Sequence, residues 1–156
     1  MPGKREDIAS WDETFINIAD VVKNRSKDPV TQVGACIVSS DKRILSLGYN
    51  GAPNGFDDED FPWGKVGSFE NTKYAYVVHA ERNAILNFRG NLREFEQATV
   101  YVTHFPCNEC AKEIAQAGVR EVVYLNIPEW EKDNVKASKI LLDKVGIIYR
   151  KFVKEA

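Results

Sequence analysis

Cysteine, histidine and long apolar runs are all scarce in this chain, and each shortage excludes something. Three cysteines in 156 residues cannot build a multi-disulfide scaffold. No stretch of about 18 apolar residues occurs, so no helical membrane span is expected. The opening Met1-Pro2-Gly3-Lys4-Arg5-Glu6-Asp7 lacks the apolar stretch of a secretory signal, so a cytoplasmic protein with no membrane partner is expected. There is also no surplus of positive charge. A net charge of −2 argues against a surface that neutralises many phosphates, and hence against a nucleic-acid polymer as partner. Repeats and low-complexity tracts are absent. At 156 residues with 44% hydrophobic content, the chain is long enough for one compact domain over residues 1–156 and too short for two ordinary ones.

What is present alternates between helical and strand periodicity. Ser10-Trp11-Asp12-Glu13 has the form of a capping box, and Phe15, Ile18, Ala19 and Val22 follow at helical spacing, which predicts a helix over about residues 11–24. Val33–Ser39 and Ile44–Gly48 read as two strands of a hairpin turned at Ser40-Asp41-Lys42. The stretch Tyr49–Tyr74 shows no period, yet its Phe56, Phe61, Trp63 and Phe69 argue for an ordered, functional loop. Beyond it the pattern predicts a helix His79–Phe88, a strand Thr99–Thr103 and a helix from Pro106 to a cap at Gly118. A strand Val119–Leu125, a helix Val135–Val145 and a last apolar run Ile147–Tyr149 complete the chain. Alternation of this kind favours a layered α/β fold with parallel neighbours in the second half.

Two short motifs carry chemistry. His79-Ala80-Glu81 is followed 25 residues later by Pro106-Cys107-Asn108-Glu109-Cys110. Catalytic zinc takes three protein ligands and keeps a fourth position for water, whose pKa falls to about 7. His79, Cys107 and Cys110 are three such ligands, and Glu81 is a spare carboxylate suited to general acid–base work. H-x-E followed by P-C-x-x-C is the pattern of zinc deaminases that act on nucleobases. A three-residue offset places Cys107 and Cys110 on one face of a helix opening at Pro106. His79 and Glu81, two apart, would diverge inside a helix, so His79 is expected at a helix entrance. Two helix N-termini then face the metal and favour thiolate.

Competing readings follow from the same residues. A lone C-x-x-C pair reads as readily as a redox couple or half of a structural zinc site, the two taken together, as it does as part of a catalytic one. The upstream H-x-E and the lack of a fourth ligand weigh against both, because only Cys36 and His104 remain. Cys36, inside Val33-Gly34-Ala35-Cys36-Ile37-Val38, reads as a buried core thiol, and His104 as a surface or rim histidine. Arg25-Ser26-Lys27-Asp28 reads equally as a solvated helix end and as a basic cluster for a small anion.

Beyond the metal motif, Arg25-Ser26-Lys27-Asp28-Pro29, Gln32–Val38, Gly48-Tyr49-Asn50-Gly51, Pro53-Asn54-Gly55, Asn83-Ala84-Ile85 and Phe105–Cys110 closely resemble the deoxycytidylate (dCMP) deaminase family of the cytidine deaminase-like superfamily. The likeness runs nearly end to end. It implies a three-layer α/β fold with a mixed five-stranded sheet flanked by helices. The implied activity is zinc-dependent hydrolysis of dCMP to dUMP and ammonia, which feeds thymidylate synthesis. Carried over by position, zinc falls to His79, Cys107 and Cys110 and proton shuttling to Glu81. Val33, Gly34 and Ala35 would lie at the base, Asn50 near the sugar and Arg25 at the phosphate. The resemblance also implies a homohexamer and effector binding at Gly48, Tyr49, Asn50 and Gly51, with dCTP and Mg²⁺ activating and dTTP inhibiting. The chain departs from some members in two respects. It has no spare His and Cys set for a second, structural zinc, so one zinc per subunit is expected, and the segment after Tyr124 lacks an arginine that some carry near the effector site. Two rivals are a tRNA adenosine deaminase, disfavoured by the acidic balance, and a silent nucleotide sensor with structural zinc, disfavoured by Glu81.

Overall fold

The structure is a computed structural model that describes residues 1–154; the last two residues of the expected 1–156 domain lie outside it. Helix α1 spans Trp11–Val22 and is started by Ser10, whose hydroxyl accepts from the Glu13 N–H at 3.1 Å. Asp12 and Glu13 in its first turn complement the helix dipole. The helical run expected to residue 24 tightens after Val22 into a 3-10 turn, Lys23–Arg25. Strands β1 (Gly34–Val38) and β2 (Ile44–Tyr49) form the expected antiparallel hairpin. Helix α2 (Ala80–Asn87) follows the long loop, then β3 (Thr99–His104), α3 (Asn108–Ala117), β4 (Glu121–Asn126), α4 (Lys132–Val145) and β5 (Ile148–Lys151).

The sheet order is β2-β1-β3-β4-β5, antiparallel as far as β3 and parallel from there, so the mixed five-stranded sheet is as expected. Period-two alternation decides which side chain meets which layer. Cys36, Val38, Tyr101 and Val123 face α1 and pack on Phe15, Ile16 and Ala19. Ala35, Ile37, Val100, Val102 and Val122 belong to the larger core that includes Ala80, Ala84, Ile114 and Leu142 of the other three helices. Helices thus cover both faces, which explains why β1 reads as a continuous apolar run.

Two glycines set the layer spacing. A Cβ on Gly34 would fall 1.9 Å from the Ala19 carbonyl oxygen of α1. On Gly48 it would fall 2.4 Å from both the Ala80 oxygen and the Ala84 nitrogen of α2. Backbone therefore rests on backbone at both contacts. Gly48→Ala is expected to cost about 3 kcal/mol, seen as a lower urea midpoint, because α2 must be displaced to admit a methyl group. Gly64→Ala is its control, since a Cβ there meets nothing within 4 Å.

Several boundaries differ from the sequence expectation. Helix α3 begins at Asn108, with Cys107 as its extended N-cap (φ −69°, ψ 169°) and Pro106 outside it, so the two cysteines do not share a helix face. An N-cap residue must lie in the β region for its side chain to turn back over the first amides. Helix α4 begins at Lys132, three residues before Val135, because its polar first turn has no apolar period to announce it. The final strand is displaced towards the C-terminus, at Ile148–Lys151, while Ile147 enters the core. The aperiodic loop carries only two 3-10 turns, Phe69–Asn71 and Lys73–Ala75, and a bridge between Gly51 and Val78. Its aromatics form a small core of their own. Phe61 is buried, with its ring 5.1 Å from Phe56 and 4.4 Å from Trp63.

Candidate metal centre

Two helix starts meet at one point. His79 is the N-cap of α2 (φ −69°, ψ 158°) and Cys107 that of α3, while Cys110 lies in the first turn of α3. Neither cap side chain hydrogen-bonds its own helix; both turn towards the gap between the helices. His79 Nδ1 lies 3.3 Å from Cys110 Sγ and 3.5 Å from Cys107 Sγ. All three donors fall within 4.8 Å of one another, and among the described residues no other His, Cys, Asp or Glu group is so placed. Tetrahedral zinc, with Zn–S near 2.3 Å and Zn–N near 2.0 Å, separates its nitrogen and sulfur ligands by roughly 3.5 Å, so this donor set fits the ion.

The protons of the site are strongly coupled. A hydrogen bond from Cys110 draws Cys107 down to about 4, helped by His79 and opposed by burial. Sharing that hydrogen with Cys107, and burial, push Cys110 up. The hydrogen bond to Cys107 lifts His79 to about 9. One sulfur is therefore an anion before any metal arrives, and a cation entering the site displaces the remaining protons. Cys36, on the opposite face of the sheet, is pushed up to about 12 by burial alone and is an inert core thiol.

Glu81, also in the first turn of α2, is buried at 4% exposure and is not one of the three clustered donors. Burial pushes its carboxyl up to about 7, against the attraction of His79. Because the folded chain holds this proton more tightly than the unfolded one, the metal-free protein loses stability as pH rises from about 4.5 through 7. Metal-free Glu81→Gln has no such charge to bury. At pH 8 it is expected to be more stable than the metal-free parent by about 2–3 kcal/mol, with the difference vanishing near pH 4, as thermal melts at the two pH values would show.

His79, Glu81 and Cys107 open onto a cavity of about 440 Å³. Its walls include Thr31, Val33, Asn50 and Lys73, and across from them His104, Trp130 and Lys65. His104 is half-buried and edge-on to Trp130, at 6.4 Å between centroids, and burial lowers its pKa. It therefore lines the cavity without joining the donor cluster. Asn50 is buried with both ends of its amide engaged: Oδ1 accepts from the Val33 N–H at 2.8 Å and Nδ2 donates to the Thr31 carbonyl at 2.9 Å.

Of the three residues expected beside the base, only Val33 reaches this cavity. Gly34 is held against α1 with its N–H on Thr103 Oγ1 at 3.1 Å, and Ala35 is fully buried in the core beneath α2. Gly34 has no side chain to offer the cavity, and Ala35, on the same face as Val33 but one period further along, is covered by α2. Arg25 lines a second cavity, of about 270 Å³, together with Lys27, Tyr49, Gly51 and Asn54. Gly48 lies buried against α2, while Tyr49 and Gly51 face the second cavity and Asn50 the first. One extended strip, residues 49–51, thus divides the two. Among the wall residues, sequence reasoning did not single out Thr31, Trp130, Lys65 or Lys73. An isolated lysine or threonine carries no spacing signal, and Trp130 stands in the segment after Tyr124, which shows only a missing arginine.

A three-layer α/β fold with a His/Cys/Cys group at two helix starts, beside a buried glutamate, defines the cytidine deaminase-like class. The chain belongs to the cytidine and deoxycytidylate deaminase family, whose zinc-binding-region model matches residues 9–126. It is 45% identical over 151 residues to the deoxycytidylate deaminase of Pongo abelii, covering 96% of this chain and 84% of that protein. The Homo sapiens deoxycytidylate deaminase is 44% identical over 151 residues, with the same coverage of each. The dCMP deaminase of cyanophage S-TIM5, crystallised with dCMP and dUMP, superposes with a TM-score of 0.71 at 26% identity, over 96% of this chain and 100% of that one. The family implied by the sequence motifs is therefore correct, and the chain is an enzyme of the deaminase type, a hydrolase. Among the described residues no helix is long and apolar enough to cross a membrane.

Proposed function

We propose that this chain hydrolyses dCMP to dUMP and ammonia, with His79, Cys107 and Cys110 holding one zinc ion and Glu81 moving the protons. The observation that carries this reading is a buried carboxylate that shares a cavity with two of the three clustered donors, His79 and Cys107, without being a donor itself. The substrate follows from the names of the relatives at 44–45% identity. A cavity of about 440 Å³ is also of the size that takes a nucleotide.

Zinc, when bound, supplies the Lewis acidity that makes a hydroxide nucleophile available near neutral pH. Glu81 accepts the proton released by the attacking water and delivers it to N3 of the ring as the C4–O bond forms. It then takes the second proton from the new C4 hydroxyl and passes it to the exocyclic nitrogen; C4=O forms, the C4–N bond breaks, and ammonia leaves. Water and dCMP thus account for every atom of dUMP and ammonia. In the metal-free chain burial pushes the Glu81 carboxyl up to about 7, and a cation bound beside it would draw that value down towards the carboxylate that accepts a proton from water. Val33 and the amide of Asn50 form the wall on which base and sugar would rest.

In the same reading dCTP with Mg²⁺ activates and dTTP inhibits at the second cavity, which Tyr49 and Gly51 line and where Lys27 offers charge to a phosphate; Arg25, given to the dCMP phosphate by the resemblance, lines this cavity and not the first. The chain is read as a single domain that assembles as a homohexamer and supplies dUMP for thymidylate synthesis.

Ammonia release from a panel of cytosine nucleotides, with and without dCTP, dTTP and a chelator, tests the activity. Turnover of dCMP abolished by the chelator is expected; no release from any cytosine nucleotide would refute it. Arg25→Ala refines the phosphate assignment. A raised KM for dCMP, with any residual turnover of deoxycytidine and the response to dCTP unchanged, keeps Arg25 at the substrate phosphate. A lost response to dCTP with KM unchanged moves it to the effector.

A further inference from the structure

Lys73 is one of the few buried charged residues, at 5% exposure, and it stands in the wall of the first cavity. Its Nζ lies 2.7 Å from Asp28 Oδ2, and the two side chains are 7% and 1% exposed. Burying two charges is costly unless each satisfies the other and the remaining valences are met. Here they are. Asp28 Oδ1 accepts from the N–H groups of Val30 at 2.8 Å and Thr31 at 3.2 Å, and so shapes the turn that carries Thr31 and Val33 to the cavity. The Asp28 carbonyl accepts from Gln32 Nε2 at 2.6 Å. On the other side, the Lys73 N–H donates to the Gly64 carbonyl at 3.0 Å, and the Lys73 carbonyl accepts from Val77 at 2.8 Å, two residues before His79.

The ion pair therefore ties together two wall segments that are 45 residues apart in the chain. One is the Asp28–Val33 turn, which Asn50 also grips through Thr31 and Val33. The other is the Lys73–Val78 segment leading into the first donor. No other ion pair is so deeply buried among the described residues. A salt bridge with this burial, placed on a cavity wall away from the main core, has geometry as its output.

We propose that Lys73 and Asp28 are positioning residues: their ion pair latches the long loop to the Asp28–Val33 turn and thereby sets the shape of the substrate cavity. This rests on the reading of that cavity as the dCMP site. The latch acts on ground-state fit, so its loss raises KM while the proton-transfer machinery on α2 and α3 continues to work.

The test compares Lys73→Met, Lys73→Arg and the doubly neutral Asp28→Asn/Lys73→Met, each with its zinc content checked. Lys73→Met leaves a buried carboxylate without its partner and is expected to be the least stable. The double variant removes both charges, so it recovers much of the folding stability yet keeps a KM for dCMP raised about tenfold or more, with kcat within about threefold of the parent. Lys73→Arg, which preserves the charge, restores KM most of the way. A KM equal to the parent's in the double variant would overturn the latch, and so would a fall in kcat without a change in KM. Amide exchange of the zinc-loaded protein gives an answer that does not depend on dCMP being the substrate. Faster exchange at residues 30–33 and 73–78 in the double variant supports the latch, and unchanged exchange there refutes it even if the parent proves inactive on dCMP.

Discussion

Glu81→Gln is expected to bind zinc as the parent does and to lose dCMP turnover by about 10³-fold, the contribution of a well-placed general acid and base. Gln fills the same volume and can hydrogen-bond in the same place, but it cannot accept the proton of an attacking water or carry one to the exocyclic nitrogen. Zinc content should be unaffected, because the three clustered donors do not include Glu81. Metal analysis beside steady-state kinetics separates the two quantities. Turnover within about tenfold of the parent would remove Glu81 from the reaction, while a zinc-free variant would instead make it a ligand. The same substitution is expected to stabilise the metal-free chain at pH 8, so a drop in activity could not be blamed on unfolding.

Cys110→Ala carries the second large effect. It leaves one imidazole and one thiolate, too few to hold zinc against dialysis with a chelator, and the purified variant is expected to contain less than about 0.1 zinc per chain. Activity falls with the metal. Stability falls too, since the binding free energy of the ion is also folding free energy, and a melting temperature well below that of the zinc-loaded parent should accompany the loss. Cys36→Ala is the contrasting case. That thiol lies in the apolar cluster beneath α1, on the far side of the sheet, so its removal costs packing energy and leaves zinc at one per chain. Retention of zinc by Cys110→Ala, or its loss from Cys36→Ala, would mean that the ion is held elsewhere.

The donor set was legible in the sequence because its parts are local. His79 and Glu81 are two residues apart, Cys107 and Cys110 three, and those spacings already imply helix entrances. The strands were legible for a similar reason: β1, β3 and β4 are short apolar runs with sharp ends. What escaped is of two kinds. Helix ends that depend on capping geometry were misplaced, as at Cys107, where a proline just before the motif suggested a helix already begun. The polar opening of α4 at Lys132-Asp133-Asn134 hid for want of any apolar period. The other kind is pairing at long range. Nothing near Lys73 distinguishes it from a surface lysine, and Asp28 read as one member of a basic cluster until the fold set the two 2.7 Å apart. The packing of the helices likewise decided that Val33 faces the cavity while Gly34 lies against α1 and Ala35 under α2, which the resemblance alone could not supply.

Gly48 has a mechanical consequence for the strip that divides the two cavities. Where layers meet through side chains, rotamers can yield and a small push is absorbed. At Gly48 there is no such cushion, because the end of β2 bears directly on the first turn of α2, the same turn that carries Glu81 and follows His79. Asn83, one turn further along that helix, also clasps the Tyr49 carbonyl at 2.7 Å. Any shift of residues 48–51 is thus handed on, undamped, to the backbone that aims Glu81.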